Sequence, residues 1–232
     1  MTQVFHDLEG LSFASPQWAR VIDETKAALA QAGVICLPTD TVYGIGADPL
    51  NEQGVTNLLA AKSRTRAMPP PVLVANVAQA RALVSEATLE GAMGEALRVL
   101  AKEFWPGALT IIVPANEHIG WDLGETNGTV GLRMPDHAVA LALLEETGPL
   151  AVTSANKTGQ PPAQDISEAQ DQLGEAISVY LDAGAAPGGV PSTIVRLTEL
   201  SDKQTVGAEF LRVGAIDPDE IVAAANLHRL GD

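Results

Sequence analysis

Three positively charged side chains lie close together in the segment AAKSRTRAMPPPVLVAN, residues 60–76. Lys62, Arg64 and Arg66 alternate with small polar residues, and a run of three prolines follows. A lysine ammonium together with forked guanidinium groups is the donor set that binds phosphates and carboxylates. The prolines restrict the backbone ahead of an apolar run and would hold that run in place. The segment therefore indicates an anion-binding site, with cations that complement a helix C-terminus as the competing interpretation.

Polar side chains also follow two other predicted strands. Arg133 comes at the end of GTVGLRM (128–134), and Ser154 and Asn156 come at the end of LAVTS (150–154), in a loop rich in Gly and Pro. Open α/β sheets bind their ligands at strand ends, so these side chains are candidates for one shared site. The alternative is that Ser154 and Asn156 only form a turn, as both residue types commonly do.

Two more stretches add candidate residues. In LPTDTVYGIGAD (37–48) a strand ends in a hydroxyl-rich turn, where Thr39 and Asp40 could bond locally, and its glycines permit a close backbone approach. Ser192 begins the strand PSTIVRL, and Arg212 lies near the end of EFLRVG (209–214). Local hydrogen bonding, or an arginine at a solvated strand edge, would explain either stretch by itself. Only the accumulation of polar groups at strand ends favours a common site.

The overall charge restricts the class of ligand. The chain of 232 residues has 14 Lys and Arg against 29 Asp and Glu, a formal net charge of −15. A broad nucleic-acid-binding face needs clustered cations, so it is disfavoured, whereas a local basic pocket for a small polyanion is compatible. We expect no membrane span and no secretion signal. The single cysteine, Cys36, fits a reducing compartment, so we expect a cytoplasmic protein.

Several catalytic motifs are missing from the sequence. It contains no GxxxxGKS/T phosphate loop, no GxGxxG dinucleotide fingerprint and no GxSxG nucleophile motif. The four histidines are scattered, so no metal site of the Cys/His or HExxH type is expected. An enzyme built on this sequence would therefore work by positioning its substrates and stabilising charge.

The elements that must position these residues interleave along the chain. Helices are predicted from Ser15 to Gly33 and at 55–62, 77–103 (with a break near 90–94), 137–147, 166–173 and 219–229. Strands are predicted at 34–38, 71–76, 108–114, 128–134, 150–154, 178–184, 191–197 and 209–214. Some strands are close enough to form hairpins, so the pattern predicts a mixed α/β sheet. We expect one domain at 15–214, after a loose segment at 1–14 and before a short helix or tail at 215–232.

Taken in order, these stretches resemble the YrdC/TsaC family, the threonylcarbamoyl-AMP synthases. The matching pieces run from about Gly33 to Gly214, and they are PTDTVYGIG, KSR with its downstream proline, FWPGALT, GTVGLRMP, TSANKTGQPP, PSTIV and LRVG. The resemblance implies an α/β fold in which a twisted mixed sheet with flanking helices surrounds one deep, positively lined cleft. Because few residues follow Gly214, the chain resembles the single-domain type.

The resemblance also implies an activity and its partners. Family members form L-threonylcarbamoyladenylate and pyrophosphate from L-threonine, bicarbonate and ATP, and Mg²⁺ accompanies the nucleotide. Downstream proteins then transfer the threonylcarbamoyl group to tRNA. We therefore expect a nucleotidyltransferase with weak or absent direct tRNA binding, and no protein ligand for the metal, which phosphates and water would hold.

Residue roles are carried over only where the motifs match. Catalytic roles are implied for Lys62 and Arg64. ATP contacts are implied for Lys62, Arg64, Thr129, Ser154, Asn156 and Arg212, and threonine contacts for Thr41, Arg133 and Ser192. The threonine carboxylate would lie on Arg133. Some members carry a histidine that touches threonine where this chain has Leu73, so the resemblance is weaker at the amino-acid pocket than at the ATP site.

Two other functions fit parts of the pattern. A related domain of hydrogenase-maturation carbamoyltransferases forms carbamoyl-adenylate, although those proteins add zinc-finger and acylphosphatase-like regions that this sequence does not show. A non-catalytic RNA-binding module is the second alternative, and the net charge of −15 counts against it.

Overall fold

The computed structural model describes residues 3–202 and 204–231. Its helices are α1 Pro16–Ala30, α2 Glu52–Ala61, α3 Val77–Ala82, α4 Glu86–Glu90, α5 Ala92–Phe104, α6 Ala138–Thr147, α7 Ile166–Leu173 and α8 Pro218–Ala225. Its strands are β1 Val4–Asp7, β2 Ile35–Leu37, β3 Gly44–Ala47, β4 Val72–Leu73, β5 Leu109–Pro114, β6 Thr129–Arg133, β7 Leu150–Ser154, β8 Val179–Asp182, β9 Thr193–Glu199, β10 Val206–Arg212 and β11 His228–Leu230. Among the described residues, no helix combines the length and apolar character needed to cross a membrane.

All eleven of these strands belong to one sheet, in the order β1-β8-β2-β3-β7-β4-β6-β5-β9-β10-β11. Parallel pairs such as β4–β6 and β5–β9 stand beside antiparallel pairs such as β3–β7 and β5–β6. The predicted mixed α/β sheet with flanking helices is therefore confirmed. The predicted helix break also occurs, because α4 ends at Glu90 and α5 begins at Ala92.

Apolar side chains cover both faces of the sheet. Val21 of α1 and Leu143 of α6 pack with Ile35 on one face, whereas Leu100 of α5 belongs to the cluster on the other face. Cys36 follows Ile35 in β2 but belongs to that second cluster, since successive side chains of a strand point to opposite faces. A strand that is covered on both sides has a continuous apolar sequence, as VICL does. Cys36 is a buried free cysteine.

The N-terminal segment differs from our expectation of a loose chain. Val4–Asp7 forms β1, which pairs in parallel with β8 at one edge of the sheet. His6 is buried beside Glu24 of α1, with 3.0 Å between Nε2 and Oε2. The strand leaves little apolar pattern, because its buried side chain is His6 whereas Phe5 is 49% exposed.

The C-terminal segment also differs. The predicted helix 219–229 ends early, because Asn226 adopts a left-handed backbone with a φ of 49° and the Leu227 N–H donates to the Val222 carbonyl. Asparagine tolerates this conformation better than most residues, so it can end a helix as glycine does. The chain then forms β11, which pairs in parallel with β10.

The sequence prediction missed β3, since the glycines of GIGA suggested a turn. These glycines are required by packing: a Cβ on Gly44 would lie 2.8 Å from Cγ1 of Val152 in β7, and one on Gly46 would lie 3.1 Å from Cγ2 of the same residue. Glycine in a strand often marks such a close approach. The antiparallel pairing of β3 with β2 and β7 places the PTDT turn beside the end of β7.

Tyr43 anchors this turn to the loop after β8. Its hydroxyl donates to the Gly184 carbonyl at 2.7 Å and accepts from the Ala183 N–H at 3.1 Å. Tyr43→Phe should lower the free energy of unfolding by about 1–3 kcal/mol, because two main-chain groups lose their partner. Urea denaturation measures this change. The matched control is Tyr180→Phe, which removes only a donation to the Gly174 carbonyl, and an equal loss in both variants would contradict the prediction.

Candidate active site

One cleft of about 490 Å³ opens on the central strands, a volume typical of small-molecule sites. Most of the predicted site residues line it, namely Thr41, Arg64, Thr129, Arg133, Ser154, Ser192 and Arg212. Lys62 and Asn156 lie behind the wall and contact Ser154. The side chains that the sequence placed on separate strand ends therefore come together, as expected where several strands end at the same place.

Lys62 lies at the C-terminus of α2, as predicted, and is only 1% exposed. Its ammonium donates to the Ser154 carbonyl and hydroxyl, the latter at 3.2 Å, and to the Asn156 carbonyl at 2.9 Å and side-chain Oδ1 at 2.7 Å. The Thr158 N–H and hydroxyl in turn donate to the Lys62 carbonyl. The end of α2 and the turn after β7 therefore form one hydrogen-bonded unit.

The protonation of Lys62 depends on two opposing influences. Burial, and to a lesser extent the charge of Arg64, lowers the pKa of Lys62 to about 7. Four oxygen acceptors around the ammonium favour its charged form. An ammonium has three N–H donors, so all of them are already engaged. A ligand must therefore displace an acceptor, and the Ser154 hydroxyl is the candidate because it is the most distant and lies on the cleft wall.

Arg64 has fewer partners than Lys62. Its Nη1 donates to Thr153 Oγ1 at 3.3 Å, and its buried Nε has no hydrogen-bond partner within the described chain. Burial lowers the pKa of Arg64. A buried donor without a partner costs stability, and an anion that accepted from it would remove that cost. This guanidinium is therefore available to bind an anion.

Arg133, at the end of β6, is buried and extensively bonded. Its Nε donates to the Gly107 carbonyl at 2.9 Å, Nη1 to Thr41 Oγ1 at 3.1 Å and Nη2 to Asp40 Oδ1 at 2.6 Å. Burial lowers the pKa of Arg133, and the charge of Asp40 opposes that shift. Arg133 therefore enters the cleft with a fixed orientation and with its charge balanced by a carboxylate.

The hydroxyls behind Arg133 have defined directions. Thr39 donates its single proton to the Val42 carbonyl at 2.6 Å, so the 3.1 Å bond between the Thr39 and Thr41 hydroxyls must be donated by Thr41. The Thr41 hydroxyl has then used its proton, so it can only accept a hydrogen bond from Nη1 of Arg133, which is the direction observed. The PTDT turn thus supplies acceptors that hold the guanidinium in place.

Arg212 and Ser192 form another part of the cleft wall. Arg212 donates from Nε to the Ser192 carbonyl at 2.8 Å and from Nη2 to its hydroxyl at 2.9 Å, and that hydroxyl also bonds Thr110 Oγ1 at 2.9 Å. Gly214 permits this approach, because a Cβ there would lie 2.2 Å from the Pro191 carbonyl oxygen. Burial first, and then the charges of Arg133 and Arg64, lowers the pKa of Arg212. The three guanidinium groups are therefore close enough to influence one another.

The charges on the cleft wall are not equally balanced. Within the described residues, neither Arg64 nor Arg212 forms an ion pair, whereas Arg133 pairs with Asp40. Thr129 adds a hydroxyl to the wall and donates to the Thr126 carbonyl at 2.7 Å. The site can therefore hold highly charged anions near Arg64 and Arg212, and a singly charged group near Arg133.

Sequence reasoning missed several polar residues of this site. Asp40, Thr110 and Thr153 each bond a predicted site residue. Each lies near a strand terminus, because Asp40 follows β2, Thr110 is the second residue of β5 and Thr153 is the last but one of β7. What the sequence did not provide was the identity of the partner.

The comparisons with curated proteins agree with this geometry. The family model of Sua5, YciO and YrdC proteins, described as telomere recombination, matches residues 27–214. A Mycobacterium leprae protein that carries the provisional name threonylcarbamoyl-AMP synthase is 48% identical over 203 residues, covering 86% of either chain. The threonylcarbamoyl-AMP synthase of Bacillus subtilis is 35% identical over 215 residues, which cover 92% of this chain and 58% of that protein.

Solved structures give the same grouping. The chain is similar to Pyrococcus abyssi Sua5 complexed with L-threonine, with a TM-score of 0.77 and 29% identity over 98% of this chain and 62% of that one. It also has the fold of Escherichia coli YciO, with a TM-score of 0.71 and 22% identity over 93% of this chain and 95% of that one. The resemblance seen in the sequence motifs is thus confirmed, and the chain belongs to the Sua5/YciO/YrdC family.

Proposed function

We propose that this protein is a threonylcarbamoyl-AMP synthase, which forms L-threonylcarbamoyladenylate and pyrophosphate from L-threonine, bicarbonate and ATP. The observation that carries the proposal is the convergence of Arg64, Arg133 and Arg212 on one cleft of a protein whose net charge is −15. The names of the relatives and the threonine in the Sua5 complex support the same activity. Carbamoyl-adenylate synthesis and non-catalytic RNA binding are not favoured by those relatives.

Electrostatics explains why this reaction needs such a cleft. A triphosphate, a carboxylate and bicarbonate all carry negative charge and repel one another. For two unit charges 4 Å apart the repulsion is about 1 kcal/mol in water but about 4 kcal/mol near a protein surface. Cations held in place before the substrates arrive offset this repulsion without further reorganisation.

The chemistry itself requires no side-chain nucleophile. The amine of threonine takes up bicarbonate with loss of water to give a carbamate. A carbamate oxygen then attacks the α-phosphorus of ATP while the bond from that phosphorus to the bridging oxygen breaks, and pyrophosphate leaves with that oxygen. The protein contributes by aligning the carbamate with the α-phosphorus and by stabilising the charge on the leaving group.

The side chains divide this work according to their charge. Arg64 and Lys62 bind the phosphates and the carbonate-derived group, and Lys62 does so by exchanging the Ser154 hydroxyl for a ligand oxygen. The remaining nucleotide contacts come from Thr129, Ser154, Asn156 and Arg212. Thr41, Arg133 and Ser192 hold threonine, with its carboxylate on Arg133 and the side chain of Leu73 on the wall of the same cleft.

Mg²⁺ would enter as part of the nucleotide substrate. Glu125 is the one carboxylate on the cleft wall in the described part of the chain, and the described residues contain no group of three His, Cys, Asp or Glu side chains that could hold a metal. The donor set of the cleft is cationic, so phosphate and water oxygens would supply most of the ligands.

The product implies downstream partners. A threonylcarbamoyl-adenylate is an activated acyl donor, so proteins that transfer its acyl group to tRNA must follow, and we propose that they act in the cytoplasm. The net charge of −15 favours weak or absent direct tRNA binding by this chain. We propose that residues 15–214 form the catalytic unit.

Pyrophosphate release tests the proposal. Protein incubated with ATP, Mg²⁺, threonine and bicarbonate should release pyrophosphate, and omitting any one of these should return the signal to background. Release that requires carbamoyl phosphate instead of threonine would favour carbamoyl-adenylate synthesis. No release, together with tRNA binding that weakens steeply with salt, would favour the RNA-binding module.

A further inference from the structure

The carboxylate of Asp40 joins two of the segments that form the cleft. Its Oδ1 accepts from Nη2 of Arg133 at 2.6 Å and from the backbone N–H of Asp136 at 3.0 Å. Both partners of the ion pair are largely buried, with 13% of the Asp40 side chain and 8% of the Arg133 side chain exposed. We propose that Asp40 is a positioning residue for the amino-acid substrate and acts through Arg133; the inference rests on the proposed function of this cleft.

The donor count of Arg133 supports this role. A guanidinium has five N–H groups, and the Gly107 carbonyl, the Thr41 hydroxyl and Asp40 each take one. The remaining donors are one N–H on Nη1 and one on Nη2. A carboxylate bound to both is held by two nearly parallel hydrogen bonds, provided that the guanidinium plane is fixed. Three acceptors from two separate segments of the chain fix that plane.

The balance of charge explains why orientation matters more here than elsewhere in the cleft. The Asp40–Arg133 pair carries no net charge, so Arg133 recognises a carboxylate mainly through the direction of its two remaining donors. Arg64 and Arg212 have no carboxylate partner in the described chain and keep their full charge for phosphates. Asp40 thereby makes Arg133 suited to a singly charged carboxylate rather than to a triphosphate.

The predicted consequence is a selective effect on threonine. Asp40→Ala removes the acceptor for Nη2 and for the Asp136 N–H, so the KM for threonine should rise about tenfold or more, as small misplacements of a binding group do. The KM for ATP should change less than about threefold, because the phosphate-binding arginines keep their partners. Asp40→Asn retains Oδ1 as an acceptor for both donors and should recover most of the threonine affinity. Glu117→Ala, which removes an exposed carboxylate outside the cleft, is the control and should match the wild type.

The test measures steady-state pyrophosphate release with threonine or ATP varied. Thermal unfolding of each variant is measured beside it. A threonine KM that rises in Asp40→Ala and recovers in Asp40→Asn supports the inference. Equal changes in both KM values, without recovery in Asp40→Asn, would show that Asp40 only supports the fold. An active wild type with an unchanged threonine KM in Asp40→Ala would overturn the inference alone, whereas an inactive wild type would overturn the proposed function.

Discussion

Lys62→Ala should reduce formation of threonylcarbamoyl-adenylate by a factor on the order of 10³, the upper end of what removal of one charge-stabilising donor costs. The substitution removes a cation from behind the cleft wall. It also takes away the donor shared by the Ser154 and Asn156 carbonyls and the Asn156 amide oxygen. The turn after β7 would then lose the contact that fixes it. Pyrophosphate release per protein molecule measures the loss.

Two variants separate the charge of Lys62 from its shape. Lys62→Arg keeps a positive charge but should not restore activity, because four acceptors surround a single nitrogen and a planar fork cannot meet them. Lys157→Ala removes an exposed lysine from the same loop and should leave activity unchanged. Substantial activity in a folded Lys62→Ala protein would contradict the role that we assign to this side chain.

Arg64→Ala should reduce activity about as much as Lys62→Ala does. Unlike removal of a well-bonded side chain, it should not lower the free energy of unfolding. The Arg64 side chain makes one long hydrogen bond and buries an Nε that has no partner among the described residues. Its removal should leave the free energy of unfolding unchanged or raise it, by up to about 1–3 kcal/mol. Denaturant unfolding measured beside pyrophosphate release checks both parts. A large loss of stability would mean that Arg64 supports the fold rather than the substrates.

A further pair of variants concerns two arginines of the cleft wall, Arg133 and Arg212. Arg133→Ala should raise the KM for threonine about 10²-fold while the KM for ATP changes little, because bidentate recognition of a carboxylate is lost. Arg212→Ala should do the reverse, since its guanidinium has no acidic partner among the described residues and keeps its charge for phosphates. Steady-state kinetics with each substrate varied in turn gives both values.

Arg133→Ala needs its own control, because it leaves the Asp40 carboxylate without its cation. The double variant Asp40→Asn/Arg133→Gln removes both charges and keeps neutral hydrogen-bonding groups, so its fold should be less disturbed. It should still show the raised threonine KM. If both single arginine variants changed both KM values equally, our division of the cleft into phosphate and carboxylate parts would be wrong.

The sequence by itself determined most of the elements and the chemical character of the site. Apolar runs such as VICL and LAVTS predicted strands because both of their faces are covered, and apolar residues at helical spacing predicted the helices. The motifs also identified several of the residues that line the cleft. Arg64, Arg133 and Ser154 were predicted site residues and do line it.

Only the tertiary structure decided how these residues are bonded. Lys62 meets Asn156 across 94 positions of the chain and Asp40 meets Arg133 across 93, so no local pattern could reveal either contact. The saturation of Lys62 and the neutralisation of Arg133 both depend on such long-range partners. The edge strands β1 and β11 were missed for a related reason: main-chain pairing with a distant strand leaves almost no trace in the side chains. Motifs and polar strand ends indicate which side chains belong to a site, but the order of strands in the sheet decides which acceptors reach them.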